Sequence, residues 1–343
     1  MSETPKSPAA PVTIRDVAEQ AGVSKSLVSL VLRDAPHVSD ARRQAVLAAI
    51  AELGYRPNAH ARGLARTKTK TVGLIVNDLR NPWFVELLEG VSATLHASGY
   101  ATLLADSRTD QRVGRSSLQT LTQQGVDGIV VIGTTSEADA IARIADDIPT
   151  VLAGTLDPEL PSVDVVTNDD EAGAHQVTRH LLDLGHTRIA HVVGPPTMLH
   201  AVRRRAAFSS ALAEAGIDSD PGLVIETDFT AAQGAAATTT LLERADPPTA
   251  IVYSNDPMAI AGLGVAHERG LRVPHDLSIT GFDDSELARY VYPSLTSVRT
   301  DPLRWGEAAA RTLLTLVATG QADDVDLEPA HLVVRASTGP AKA

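Results

Sequence analysis

The chain contains no cysteine. That excludes disulfide scaffolds, cysteine-based zinc sites and thiol nucleophiles, and it leaves the redox compartment open. Aromatic residues are only 3% of the 343, so the cores are expected to be built mainly from Ala, Val, Leu and Ile. No apolar run approaches the roughly 18 residues that a membrane span needs. Met1 to Pro8 are polar and proline-bearing with no apolar segment behind them, so no secretory signal is expected and the cytoplasm is the default location. Enzyme signatures are missing as well. His175 and His180 lie about 140° apart around a helix and share no face as a metal pair would. In Gly262-Leu263-Gly264-Val265-Ala266-His267 a histidine stands where a dinucleotide fingerprint needs its third glycine. No Walker A or Gly-x-Ser-x-Gly motif occurs. No catalytic role and no cofactor are expected.

Hydrophobic residues at 43% and charged residues at 21% are an ordinary globular balance. The length suits two or three domains. The net charge of -12 conceals a split. Residues 1–70 hold 11 Lys/Arg against 6 Asp/Glu, whereas the remaining 273 hold 19 against 36. A small basic module is joined to an acidic body.

The basic module has helical periodicity. Ile14, Val17, Ala18 and Ala21 share one face, Thr13 stands at the cap position and Asp16 lies in the first turn. Gly22-Val23-Ser24 breaks the pattern: Gly22 can take the positive φ that ends a helix and Ser24 can cap the next. A second helix from Lys25 to about Arg33 is expected to bury Leu27, Val28, Val31 and Leu32. A third, capped by Ser39 and reaching Leu53, is expected to close the core with Val46, Leu47, Ile50 and Leu53. Two short helices joined by a glycine turn form a helix-turn-helix, whose second helix enters the DNA major groove.

The run Thr13 to Ser24, with Val28-Ser29 and Gly54-Tyr55-Arg56-Pro57-Asn58, resembles the head of the lactose-repressor (LacI/GalR) family of bacterial transcription regulators. The resemblance implies that Lys25, Ser26 and Leu30 face base edges, where lysine can donate to guanine and leucine offers only apolar contact, for instance to a thymine methyl group. Thr13, Ser24, Ser29 and Arg33 are better placed for phosphates. The continuation from Tyr55 to Ala65 resembles the family's hinge helix. Its eight or so residues are too few for a stable isolated helix, and Gly63 weakens it by roughly 1 kcal/mol relative to Ala. It is expected to fold only on DNA in a dimer, with Asn58 as cap, Ala61 on the small apolar stripe and Leu64 as the wedge in the minor groove.

Beyond the polar linker, short apolar strands alternate with helices: 72–76, 101–105, 128–132, 188–193, 250–253 and 277–281, with helices over about 82–98 and 113–124 among them. This predicts two doubly wound parallel sheets. Ligands in such folds sit beyond the carboxyl ends of the strands, which selects Asn77-Asp78, Asn81 to Phe84, Asp106, Asn255-Asp256, Asp283-Asp284, and Arg204 on the helix after Gly194-Pro195. Carboxylates, an amide, a guanidinium and an indole are the groups that grip a polyhydroxylated molecule. Strand-end Asp and Asn are also common helix caps, the reading favoured for Asp106 and Asp284.

The same resemblance, carried by Asn255 to Ala259 and Ile279 to Asp284, implies an effector domain like periplasmic sugar-binding proteins. It puts Arg204, Asn255 and Asp283 in the effector pocket, to which the strand-end rule adds Asp78, Trp83 and Phe84. Where many relatives carry an acidic residue, this chain has Ala153-Gly154.

The expected fold is an all-α helix-turn-helix headpiece followed by an α/β body of two doubly wound parallel-sheet subdomains. The expected divisions are a tail, 1–11; the DNA-binding domain, 12–57; hinge helix and linker, 58–70; the effector and dimerisation domain, 71–335; and a tail, 336–343. Within the body, 71–168 with 301–328 would form one subdomain and 169–297 the other. The expected function is a regulator, in sense a repressor, that binds a pseudo-palindromic operator as a homodimer under control of a sugar or polyol. A purine or nucleoside effector is one alternative. A sugar-binding transport protein is another, and it fails to explain the first 70 residues.

Overall fold

A computed structural model describes residues 12–32, 35, 37–55, 69–133, 137–154, 160, 163–167, 169–322, 325 and 327–342. They fall into two compact units, one before and one after Thr69.

The first unit holds α1 (Ile14–Gln20), α2 (Lys25–Leu32) and α3 (Asp40–Leu53). At its start the Asp16 carboxylate accepts from the Thr13 amide at 2.6 Å and hydroxyl at 2.8 Å. Gly22 takes φ +63° in the turn, and the Ser24 hydroxyl accepts from Leu27 N at 3.2 Å to start α2. The core is Val17, Ala18, Val28, Val31, Val38, Val46 and Ala49. Leu47, expected inside, is 46% exposed. Val46, Ala49, Ile50 and Leu53 form the inward stripe at i, i+3, i+4 and i+7, and Leu47 sits about 100° off it.

The second unit contains two sheets. The first has the order β2-β1-β3-β4-β5, all parallel, from Thr71–Val76 (β1), Ala101–Asp106 (β2), Gly128–Ile132 (β3), Thr150–Ala153 (β4) and Asp164–Val166 (β5). Its helices are α4 (Pro82–Ala97), α5 (Ser107–Arg112), α6 (Ser117–Gln123) and α7 (Ala138–Ile144). The helix expected over 113–124 starts later, at Ser117, and an unexpected helix precedes it over Ser107–Arg112, because two caps start two helices. The Asp106 carboxylate accepts from Thr109 N at 2.9 Å and the Ser116 hydroxyl from Gln119 N at 3.0 Å.

The second sheet has the order β11-β10-β9-β8-β6-β7. Its strands are Ile189–Val193 (β6), Val224–Glu226 (β7), Ala250–Tyr253 (β8), Ser278–Asp283 (β9), Thr296–Arg299 (β10) and the antiparallel His331–Val333 (β11). Helices α8 (Asp170–Asp183), α9 (Leu199–Glu214), α10 (Ala231–Leu242), α11 (Asp256–Glu268) and α12 (Leu287–Tyr290) accompany it. Then α13 (Pro302–Thr319) returns to the first sheet, where Trp305, Ala308, Ala309 and Leu313 join the core of β1, β3, β4 and α4. The chain therefore passes between lobes after β5, after β10 and after α13.

Residues 336–342, expected as a tail, are bound to the second lobe. Ile279 N donates to Ser337 O at 2.9 Å, Ser337 Oγ returns a bond to Ile279 O at 2.6 Å, and Lys342 pairs with Asp276. Sequence pattern does not reveal such a strap, since its bonds are made by backbone and by a few polar side chains to residues far away in the chain. Among the described residues no helix is long and apolar enough to cross a membrane.

Candidate functional site

The carboxyl ends of both sheets face a cavity of about 780 Å³, its open mouth included. The first lobe lends Asn77 and Asp78 after β1, Asn81, Trp83 and Phe84 from the start of α4, Gly154 after β4, and Trp305. The second lends His200 and Arg204 on α9, Asp228 and Phe229 after β7, Ser254 and Asn255 after β8, and Asp283. The structure brings Asp78, Trp83, Phe84, Arg204, Asn255 and Asp283 around this one cavity. Asp106 and Asp284 lie off it: the first caps α5 and the second pairs with Arg335 at 2.5 Å.

Local packing sets each group. Asn81 accepts from Trp83 N at 3.1 Å and starts α4. The Trp83 indole donates to Thr300 Oγ1 at 2.9 Å and meets Trp305 edge to face at 5.5 Å and Phe84 at 5.1 Å. Gly154 has φ +82°, and a Cβ there would lie 2.3 Å from the Trp83 ring. The indole occupies the place where a side chain after β4 would stand, which gives the Ala153-Gly154 departure a steric meaning. Gly154→Ala is expected to cost about 1–3 kcal/mol through overpacking and backbone strain. Urea unfolding checks this, and a neutral result would show that the indole moves aside freely.

Arg204 is almost enclosed. Its Nε and Nη2 donate to Asp170 Oδ1 at 2.9 and 2.7 Å, its Nη1 donates to Ser254 O at 2.5 Å, and its guanidinium lies 3.6 Å over the Phe282 ring. Neighbours Arg203 and Arg205 turn instead to Glu171 and Glu226. Asn255 has two tasks. Its Oδ1 caps α11 by accepting from Met258 N at 2.9 Å, and its Nδ2 donates to Phe229 O, also at 2.9 Å. Asp78 is held by Arg80 at 2.6 Å and Arg108 at 2.8 Å. Asp283 differs from them all, because among the described residues no protein donor reaches its carboxyl group. Burial pushes that group well above the ordinary carboxylate range; Arg204 opposes the shift, and Asp256, Asp170 and Glu86 reinforce it.

Sequence reasoning missed His200, Asp228 and Phe229. The His200 ring stacks on Phe229 at 5.1 Å with its Nδ1 buried and unpartnered, and burial, aided by Arg204, pushes its pKa down to about 4. Phe229 and Asp228 follow β7, a strand of three residues. The strand-end rule would have found them had so short a strand been visible.

In the headpiece Thr13, Ser24, Lys25, Ser26 and Leu30 are exposed and Ser29 is half-buried. Leu30 is 42% exposed and is absent from the core that takes the other aliphatic residues of α2. Arg33, Asn58, Ala61 and Leu64 lie outside the described residues, as does Gly63. No group of three or more His, Cys, Asp or Glu that could hold a metal occurs among the described residues.

Known proteins match both the headpiece and the body. Residues 13–58 match the family of bacterial regulatory proteins, lacI family, and residues 178–338 match a periplasmic binding protein-like domain. The HTH-type transcriptional repressor PurR of Photobacterium profundum is 34% identical over 307 residues, 89% of this chain and 92% of that one. A lac repressor dimer bound to operator and the anti-inducer ONPF superposes with a TM-score of 0.84 at 31% identity, covering 96% of this chain and all of that one. A complex of the transcriptional regulator CelR with cellobiose gives 0.69 at 33% identity, covering 95% and 99%. A basic helix-turn-helix ahead of a two-lobed, cleft-bearing body, matched along nearly its whole length, places this chain in the LacI family of bacterial regulatory proteins.

Proposed function

We propose that the protein is a transcriptional repressor whose homodimer reads a pseudo-palindromic operator, and whose operator affinity is set by a neutral sugar or polyol bound in the cleft. On this reading Lys25, Ser26 and Leu30 face base edges and Thr13, Ser24, Ser29 and Arg33 face phosphates. Asn58, Ala61 and Leu64 belong to the hinge, and Asp78, Trp83, Phe84, Arg204, Asn255 and Asp283 to the effector site.

The observation that carries the effector class is the balance of donors and acceptors. Arg204 already has its counter-charge in Asp170, whereas among the described residues no protein donor reaches the Asp283 carboxyl group. A ligand rich in hydroxyl donors completes such a site, and an anion does not. Aromatic faces at Trp83, Phe84 and Phe229 would cover the apolar side of a sugar ring. They would also stack on a purine, a second reading that the likeness to PurR supports. Either effector controls DNA only if it binds the lobe arrangements with unequal affinity.

The test has two arms. Full-length protein selects duplexes from a random-sequence pool, and Lys25→Ala is expected to weaken binding and relax the preference for the base it contacts. Calorimetry then runs through D-ribose, D-glucose, D-fructose, cellobiose, sorbitol, adenine, hypoxanthine and adenosine. The chain has 2 tryptophans, and both Trp83 and Trp305 line the cavity, so emission reports occupancy directly. Binding of purines alone would overturn the sugar reading, and failure to enrich any duplex would overturn the regulator.

A further inference from the structure

Asp283 stands in the cavity wall at φ +110°, and Asp284 follows at φ +53°, both in backbone regions that L residues rarely occupy. Such a turn persists only where its surroundings over-determine it. The surroundings are specific. Asp256, fully buried at the start of α11, receives three hydrogen bonds. Ser285 N donates to its Oδ2 at 2.7 Å, Ser285 Oγ to the same atom at 2.9 Å, and Ser297 Oγ to its Oδ1 at 2.6 Å. The Ser297 hydroxyl also accepts from Asp284 N at 3.1 Å. Asp256 therefore holds the two backbone amides that come directly after Asp283, one by itself and one through Ser297. From the other side Arg335 grips the Asp284 carboxylate, and its own Nη1 donates to Leu295 O at 2.7 Å. Gly281 makes room for the arrangement, since a Cβ there would lie 2.2 Å from Asp256 Oδ1. Asp256 is not part of the cavity lining.

We propose that Asp256 is a positioning residue for effector recognition: through Ser285 and Ser297 it fixes the strained Asp283–Asp284 turn and so keeps the Asp283 carboxyl group in the cavity wall. A carboxylate accepts from all three partners at once, as an amide cannot. An asparagine could keep its oxygen on Ser285, but its Nδ2 would face Ser297 Oγ, which could then no longer donate to residue 256 and would have to turn its proton elsewhere. The proposal rests on the reading of the cleft as an effector site.

Full-length variants test it in two ways. Crystal structures of Asp256→Asn and of the milder Ser297→Ala are expected to show Asp283 out of the positive-φ region and its carboxyl group withdrawn from the cavity. Calorimetry with the sugars, polyol and purines named above is expected to show at least tenfold weaker binding of the compounds the wild type takes. Adding Asp283→Asn to Asp256→Asn should cause no further loss, the non-additivity of two residues that act as one. Ser285→Thr should keep the affinity that Ser285→Ala loses, and selected duplexes should bind the effector-free Ser285 and Ser297 variants within twofold of wild type. An unmoved Asp283 with wild-type affinity in Asp256→Asn and Ser297→Ala overturns the proposal. If the wild type takes none of these compounds, the effector reading fails instead, and the position of Asp283 in the crystal structures still decides what Asp256 does.

Discussion

Arg204→Ala is expected to lower the unfolding free energy by about 3 kcal/mol, the lower end of the range for breaking a buried ion pair. The side chains of Arg204 and Asp170 are 11% and 5% exposed, so the loss is not that of a screened surface pair. What costs is the carboxylate left behind, together with the cation–π contact to Phe282 and the bond to Ser254 O. The figure is at the low end because Asp170 opens α8, where the helix dipole favours an anion. Urea unfolding followed by circular dichroism measures it. Adding Asp170→Asn should recover part of the loss, since the orphaned charge is then gone. A drop below about 1 kcal/mol, or simple additivity in the double variant, would show that water reaches the pair.

The pair also shows how far sequence reading carries. Arg204 was legible because it follows a strand-end glycine-proline at a familiar spacing; Asp170 was not, since nothing in Asp169-Asp170-Glu171 says which acid caps α8 and which turns inward. The structure answers that Asp169 caps, accepting from Ala172 N, and Asp170 meets Arg204. Parallel strands such as Gly128–Ile132 were legible for a simpler reason, being buried on both faces and hence continuously apolar. Val224–Glu226 is a half-exposed edge strand with no such run, and Phe229 and Asp228 went unseen with it. The bonds from Ser285 and Ser297 to Asp256 span 29 and 41 residues, a separation at which local pattern carries no information. Asn255 was read as either a cap or a pocket residue, and in the structure it caps a helix on the cavity wall. Leu47 failed for want of phase: a stripe one position over uses Ala49, which a search for large apolar residues passes by.

Acid should expose the buried histidines. His191 lies inside the second lobe, its Nε2 3.0 Å from Ser254 Oγ, and burial, with Arg204 and Arg205 nearby, pushes its pKa down from 6.5 to about 3. His200 behaves alike, falling to about 4. Below pH 6.5 the unfolded chain takes up protons that these folded imidazoles refuse, so stability falls with pH until the folded values are reached. Each histidine then contributes a slope of up to about 1.4 kcal/mol per pH unit. Buried carboxyl groups act in the opposite sense. Burial raises Asp256 to about 7, so between there and 3.8 the folded state holds the extra proton and gains stability as pH falls. The two effects partly cancel in the wild type, whose acid profile should be shallow for a chain with such histidines. Single variants separate them. Relative to wild type, His191→Gln should gain about 2.5 kcal/mol in unfolding free energy between pH 7 and pH 4.5, the integral of one refused proton. Asp256→Asn should show the opposite trend over the same interval. Urea unfolding at the two pH values provides both numbers, and parallel profiles for wild type and His191→Gln would mean that the imidazole is protonated in the fold after all.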